Sequence, residues 1–194
     1  MITRRTLCIP RPGDLEIPCF DIWGKTDGPR LAVLAGVHGA EYASIAAARK
    51  FVSNLDLSTV LGRITVVPVV NVPAFWARSA FVTPDDDKNL NRQFPGRPDG
   101  SFTEVLAHRV FESLVLGADY LVDMHAGALP ELWSRSPSTK NLRSSSRRGT
   151  WLSPTAWGTA CVSRLRPAPS REAPARPPPT SAFRQSSQNR ARTG

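Results

Sequence analysis

The sequence has little cysteine, no long hydrophobic run and no leader-like segment at its start. Its 194 residues include three cysteines, Cys8, Cys19 and Cys161, which form no Cys-x-x-Cys pair. An odd and sparse set argues against a disulfide-stabilised scaffold and favours a reducing, cytoplasmic setting. The longest apolar stretches, near residues 31–37 and 64–70, are far shorter than the about 20 residues of a membrane-spanning helix. No apolar segment follows the first arginines, so no signal peptide is predicted.

Acidic residues are nearly absent from the last part of the chain. Residues 134–194 contain 12 Lys and Arg but one acid, Glu172, which gives this segment a charge of +11, against −2 for residues 1–133. The segment is rich in Ser, Arg, Pro and Ala and has no apolar periodicity, so we predict that it is disordered. Two explanations are open: a functional basic tail, or a shifted reading frame near residues 129–135 that truncates the preceding domain.

Residues 1–133 form the predicted folded domain, in which strands and helices alternate. The expected strands are 6–9, 15–23, 31–37, 63–70 and 119–124, and the expected helices are 41–55 and 103–116, the second capped by Thr103. This order predicts an α/β fold, with three αβα layers around a mixed, mostly parallel sheet. Because ligands bind beyond the carboxyl ends of such strands, His38, Asn71 and His125 are expected at one edge of the sheet.

The first chemical motif is Gly-Val-His-Gly-Ala-Glu at residues 36–41. If a helix begins here, His38 and Glu41 lie on one face, where an imidazole nitrogen and a carboxylate oxygen suit zinc. The two glycines let the backbone approach such a site closely. The alternative is a solvated histidine followed by a glutamate that the dipole of the helix favours in its first turn.

The second motif, Asp-Met-His-Ala-Gly, ends a predicted buried strand. His125 is well placed to be a third metal ligand. Asp123 lies two residues earlier on the same side of the strand, where it could orient an imidazole or line the wall of a pocket. The alternative is a core histidine with satisfied hydrogen bonds. The remaining histidine, His108, lies in the middle of a predicted helix and is expected at the surface.

The third motif runs from Asp85 to Gly96. Its acids do not begin a calcium loop, because the sixth position is Leu90 and the twelfth is Gly96, where such a loop has Gly and Glu. Asn91 and Arg92 are more informative, because a guanidinium beside an amide binds a carboxylate well. A surface pair without a ligand is the alternative interpretation.

Taken together, the motifs resemble the succinylglutamate desuccinylase/aspartoacylase family of zinc-dependent deacylases, which have a zinc-carboxypeptidase-like α/β fold. The resemblance covers roughly residues 30–128 and includes Asn-Val-Pro-Ala at residues 71–74 and Asn-Leu-Asn-Arg-Gln-Phe-Pro-Gly at residues 89–96. It implies hydrolysis of a small N-acyl amino acid or related carboxylate by zinc-activated water. It also implies three ligands for one Zn²⁺ per chain, namely His38, Glu41 and His125. Arg78 is implied as the arginine that polarises the scissile carbonyl. Asn91 and Arg92 are implied as the pair that holds the substrate carboxylate.

The chain departs from the family at the general base, a glutamate well downstream of the third ligand. Glu131 is too close to His125 in sequence, and Glu172 lies among prolines and arginines. No general base is therefore assigned, and weak or absent activity is expected. Two alternatives are a zinc carboxypeptidase-like peptidase, which uses the same ligand pattern, and a non-catalytic protein with a basic nucleic-acid-binding tail. A nucleic-acid partner is not favoured, a membrane partner is not expected, and the sequence indicates no oligomeric state.

Overall fold

A mixed sheet organises the computed structural model, which describes residues 1–10, 14–127, 149–151 and 159–165. Its seven strands lie side by side in the order β1-β2-β4-β3-β5-β7-β6. Their bounds are β1 Ile2–Ile9, β2 Leu15–Trp23, β3 Arg30–Ala35, β4 Arg63–Val67, β5 Tyr120–His125, β6 Gly149–Trp151 and β7 Thr159–Arg164. The strands predicted from the apolar runs are therefore present, and β3 and β4 end earlier than expected, before Gly36 and Pro68.

Parallel pairing is confined to the centre of the sheet. β3 lies parallel to β4 on one side and to β5 on the other, and the outer neighbours pair antiparallel. A short connection joins β1 to β2, and such a connection permits only antiparallel pairing, whereas parallel strands require longer crossovers. The predicted α/β fold with a mixed sheet is confirmed, but the parallel part is smaller than expected.

The helices of the described residues are α1 (Tyr42–Asn54), the short α2 (Val72–Trp76), a 3₁₀ turn (Leu90–Arg92), and α3 (Phe102–Val110), which continues into a π-helical turn (Phe111–Val115). The two predicted helices, α1 and α3 with its π-helical turn, begin and end within one residue of the predicted positions, whereas α2 and the 3₁₀ turn were not predicted. The expected cap of α3 is wrong, because Ser101 occupies the N-cap position and Thr103 lies in the first turn. The carboxylate of Glu104 accepts the backbone N–H of Ser101 at 2.9 Å, which favours the earlier start.

Two apolar cores, one on each face of the sheet, establish the three layers. Val33 and Val66 pack with Ala48 of α1. Their neighbours Leu34 and Val67 belong to the other core, which contains the buried residues of α3. Because successive side chains of a strand point to opposite faces, adjacent residues of β3 and β4 are divided between the two cores. The sheet is therefore covered by helices on both faces, as predicted.

Two strands fall within the segment that was predicted to be a disordered tail. β7 pairs antiparallel with both β5 and β6, and the Leu165 N–H donates to the Asp119 carbonyl at 2.8 Å. Without β7, the described edge of β5 would present unpaired backbone groups. The disorder predicted for residues 134–148, 152–158 and 166–194 lies outside the described residues. The expected boundary at residue 133, Glu131 and Glu172 lie outside the described residues.

In the part of the chain described here, none of the helices has the length and apolar content needed to span a membrane.

Candidate metal centre

The three predicted metal ligands meet at the carboxyl edge of β3 and β5. Donor atoms of His38, Glu41 and His125 all lie within 4.8 Å of one another. His125 is the last residue of β5, whereas Glu41 is the residue immediately before α1. The predicted convergence is therefore observed, because two neighbouring parallel strands end at the same edge of the sheet.

Two glycines shape the loop that carries His38 out of β3. Gly36 has φ of +64°, a left-handed conformation that L side chains rarely adopt, and it ends the strand. At Gly39, a Cβ atom would lie 2.1 Å from the backbone carbonyl of Ala74 in α2, so only glycine fits without a shift. The loop therefore lies against the backbone of α2, and the predicted close approach of the backbone to the metal site stays a prediction.

Glu41 lies between the two histidines. Its Oε1 is 2.9 Å from His38 Nδ1, and its Oε2 is 3.1 Å from His125 Nδ1. Burial alone would raise the pKa of Glu41, but hydrogen bonds and charge from His125 and His38 outweigh it and hold this pKa below its ordinary value. Glu41 is therefore a buried carboxylate that remains ionised.

Each imidazole is held from its other side by an oxygen acceptor. Asp123 Oδ2 lies 2.9 Å from His125 Nε2, and Asn89 Oδ1 lies 3.2 Å from His38 Nε2. An ionised carboxylate only accepts, so His125 Nε2 carries a proton in this pair. Burial opposes a charge on His125, but Asp123 and Glu41 outweigh it and raise the pKa of His125 to about 10. The predicted orienting contact between Asp123 and an imidazole is therefore present.

The donor set at this site suits a cation. Each ring directs its Nδ1 at the carboxylate of Glu41. A proton on Nδ1, which the raised pKa of His125 favours on that ring, satisfies such a contact, and a metal ion between nitrogen and oxygen satisfies it as well. Two imidazole nitrogens and one carboxylate oxygen, with the second nitrogen of each ring held by an acceptor, form a donor set that suits Zn²⁺. The residues present therefore fit the ion that the sequence predicts.

Asn91 and Arg92 lie on the 3₁₀ turn, which Asn89 precedes. Arg92 is exposed, and its Nη1 donates to the Asn91 carbonyl at 3.3 Å. Arg78 is also exposed and follows α2 with φ of +54°, a conformation that is uncommon outside glycine. Within the described ranges, neither arginine forms a side-chain ion pair with an acid, so both remain available to an anion.

Two further residues of the predicted edge have different roles. Asn71 is buried and caps α2, because its Oδ1 accepts from the Ala74 N–H at 3.2 Å and its Nδ2 donates to Thr83 Oγ1 at 2.8 Å. His108 lies in α3 as expected, but its side chain is only 22% exposed, so it is partly buried rather than at the surface; its Nε2 is 3.4 Å from Glu112 Oε2. Neither residue belongs to the group of three converging ligands.

The sequence motifs missed two residues beside His38. Asn89 holds the Nε2 atom of His38, and the half-exposed ring of Phe81 meets the His38 ring edge-on, with centroids 6.0 Å apart. Asn89 belongs to the same motif as Asn91, but its spacing does not show which asparagine faces the histidine. Phe81 lies in a connecting segment without periodicity and carries no recognisable signal.

The sequence is similar to known proteins over about half of the chain. Residues 27–131 match the model of the succinylglutamate desuccinylase/aspartoacylase catalytic domain. Over 103 residues the chain is 43% identical to an N-alpha-acetyl-L-2,4-diaminobutyric acid deacetylase of Halomonas elongata; this match covers 53% of the chain and 30% of that protein.

Solved structures show the same relationship. An aspartoacylase family protein from Mesorhizobium loti superposes with a TM-score of 0.59 at 35% identity, covering 64% of this chain and 40% of that one. The product-bound ectoine utilization protein EutE from Ruegeria pomeroyi gives a TM-score of 0.58 at 35% identity, over 63% of this chain and 39% of that one. The chain thus spans less than half the length of these relatives.

Proposed function

Because the chain belongs to the succinylglutamate desuccinylase/aspartoacylase family, we propose that it is a zinc-dependent deacylase that hydrolyses an N-acyl amino acid to an amine and a carboxylate. The observation that carries this proposal is the convergence of His38, Glu41 and His125. The Halomonas elongata relative is named for removing an acetyl group from an amino acid, and this supports a small N-acyl substrate.

The chain's own side chains prepare the site for the ion. His38 and His125 would bind Zn²⁺ through Nδ1, since their Nε2 atoms face Asn89 and Asp123. Glu41 would supply the negative charge. Zinc bound by three protein ligands lowers the pKa of a water molecule and stabilises negative charge on the scissile carbonyl oxygen.

Substrate contacts are proposed for the exposed arginines. Arg92, with Asn91 beside it, would bind the carboxylate of the substrate through its planar guanidinium. Arg78 would polarise the acyl carbonyl. Their exposure and their lack of an ion pair in the described segments support these roles. No residue is proposed as the general base.

The assay that tests the function uses the full chain loaded with Zn²⁺ and a panel of N-acetyl and N-succinyl amino acids, with short peptides as competing substrates. Because no general base is assigned, we expect at most weak amine release from the acyl amino acids. This release should stop on chelation and in His38→Ala, whereas His108→Ala should retain it. Release of carboxyl-terminal residues from peptides in preference to deacylation would instead support the carboxypeptidase-like alternative. Turnover that is independent of His38 would contradict the proposal.

The remaining expectations concern location and residues 134–194. A cytoplasmic location stays a prediction from the cysteine content. Translating the coding DNA around codons 125–140 in all three frames tests the frame-shift prediction, because a neighbouring frame would continue the strand and helix pattern and supply a glutamate. Nucleic-acid binding that weakens steeply with salt and disappears with residues 134–194 would support the basic-tail alternative.

A further inference from the structure

The side chain of Asn89 joins the candidate metal centre to the turn that carries Asn91 and Arg92. Its Oδ1 accepts the Asn91 N–H at 2.9 Å and lies 3.2 Å from His38 Nε2. Its backbone carbonyl also accepts the Arg92 N–H at 2.9 Å. One residue therefore holds both a proposed metal ligand and the backbone of the proposed carboxylate-binding pair.

The backbone bond assigns the proton on His38. A peptide N–H can only donate, so the Asn89 atom facing Asn91 must be the amide oxygen. The same oxygen faces His38, and Nε2 must therefore donate to it. An amide oxygen has two lone pairs and can accept both bonds at once. This arrangement leaves His38 Nδ1 as the nitrogen directed at Glu41.

The turn cannot move independently of this contact. Leu90, between Asn89 and Asn91, is fully buried in the core shared with α3. The Gln93 N–H donates to the Leu90 carbonyl at 3.0 Å and closes the turn. A displacement of Asn89 that lengthens its bond to His38 must therefore also disturb the backbone around Asn91.

We propose that Asn89 is a positioning residue that couples metal binding at His38 to ordering of the Asn91–Arg92 turn. This inference rests on the proposed function. A cation on Nδ1 draws electron density from the ring and makes Nε2–H a stronger donor, so the Asn89 oxygen is held more firmly in the position that also binds the Asn91 amide. Because such coupling is reciprocal, the ordered turn raises the affinity for the metal.

The experiment compares the full-length wild-type chain with Asn89→Ala, Asn89→Asp and the control Asn54→Ala, which alters an exposed asparagine at the end of α1. Zinc affinity is measured by competition with a chromophoric chelator, and amide hydrogen exchange of residues 88–97 is measured with and without Zn²⁺. We expect zinc to slow exchange at residues 91–93 in the wild type. Asn89→Ala should lose this protection and bind zinc about 10–100-fold more weakly.

Asn89→Asp separates positioning from simple packing. A carboxylate accepts both hydrogen bonds, so this variant should keep the zinc-dependent protection and bind zinc at least as tightly as the wild type. The proposal is overturned if Asn89→Asp behaves like Asn89→Ala, or if Asn89→Ala keeps both affinity and protection. If the wild type binds zinc but shows no deacylation, the proposed function is contradicted and the coupling through Asn89 is not. If the wild type binds no zinc, both proposals are contradicted.

Discussion

Asp123 and His125 lie two residues apart on β5, and the carboxylate of Asp123 accepts a hydrogen bond from His125 Nε2 at 2.9 Å. Alternate residues of a strand point to the same side, so the spacing alone brings the two side chains together. The other ring nitrogen of His125 consequently faces Glu41. One short strand therefore provides both a proposed metal ligand and the group that orients it.

The three converging residues should determine zinc binding. We expect about one Zn²⁺ per chain, and we expect His38→Ala or His125→Ala to abolish binding because too few ligands remain. Glu41→Gln should weaken binding strongly, since it removes the only anionic ligand. Metal analysis after gel filtration measures the zinc content, with His108→Ala as the control. Full zinc occupancy in the double variant His38→Ala/His125→Ala would refute the site.

Asp123→Asn should weaken zinc binding without abolishing it. Loss of an orienting carboxylate behind a ligating histidine typically reduces metal affinity about 10–100-fold. Chelator competition measures this change against Asp99→Asn, which alters an exposed acid. Equal affinities in the two variants would show that Asp123 does not orient His125 for the metal.

Arg92→Ala should impair the use of substrate while leaving zinc content unchanged. Removing one partner of a desolvated charge pair costs about 2–5 kcal/mol, so kcat/KM for acyl amino acids should fall by about 30-fold or more. The control is Arg49→Ala, an exposed arginine of α1. If turnover by this chain is too slow to measure, the same substitution is made at the matching arginine of a full-length relative. An unchanged kcat/KM would show that Arg92 is an ordinary surface residue that does not contact the substrate.

Gly39→Ala should destabilise the loop of His38. Its new methyl group would lie 2.1 Å from the Ala74 backbone carbonyl, and backbone cannot move aside as a flexible side chain does. Overpacking of this kind costs about 1–3 kcal/mol. Urea denaturation of Gly39→Ala and Gly117→Ala measures the difference, because a Cβ atom at Gly117 would make only ordinary contact at 3.6 Å. Equal stability of the two variants would contradict the observed approach of the loop to α2.

A buried ion-pair cluster on β1, β2 and β4 should make stability depend on pH. Asp21 contacts Arg5 Nε at 2.6 Å, Arg63 Nη2 at 3.0 Å and Thr65 Oγ1 at 2.7 Å. Burial raises the pKa of Asp21, but the Thr65 hydrogen bond and the two guanidinium charges outweigh it and hold the pKa below its ordinary value of 3.8. The ionised form therefore stabilises the fold above about pH 4, and this contribution disappears as the pH falls through the lowered pKa.

Asp21→Asn tests this contribution. Because the side chain of Arg5 remains 34% exposed, the loss should be smaller than for a fully buried pair, about 2 kcal/mol at pH 7. Urea denaturation at pH 7 and pH 3 measures it, with the exposed Asp27→Asn as the control. The difference between wild type and Asp21→Asn should shrink at the lower pH. A constant difference would show that the charge of Asp21 is not its cause.

Much of the fold could be predicted because its signals are local. The apolar runs of β3 and β4 and the periodicity of α1 depend on neighbouring residues, and each element was found within a few positions of its predicted bounds. The errors occur where a distant contact outweighs a local pattern. Thr103 was expected to cap α3, yet the Glu104 carboxylate accepts the Ser101 N–H and favours an earlier start. β7 was not predicted as a strand, because its pairing with β5 is a long-range contact that no local pattern shows.

The sequence by itself determined the identity of the proposed ligands. His38 and Glu41 lie three residues apart across a turn, and Asp123 and His125 lie two residues apart on a strand. The local backbone conformation therefore brings the side chains of each pair into contact. Only the tertiary structure decided that the two pairs meet. Glu41 and His125 are separated by 84 positions, and they come within 3.1 Å because β3 and β5 pair in parallel. The structure also decided which ring nitrogen faces the metal site, because that depends on Asn89, whose position is set by the burial of Leu90 in the core.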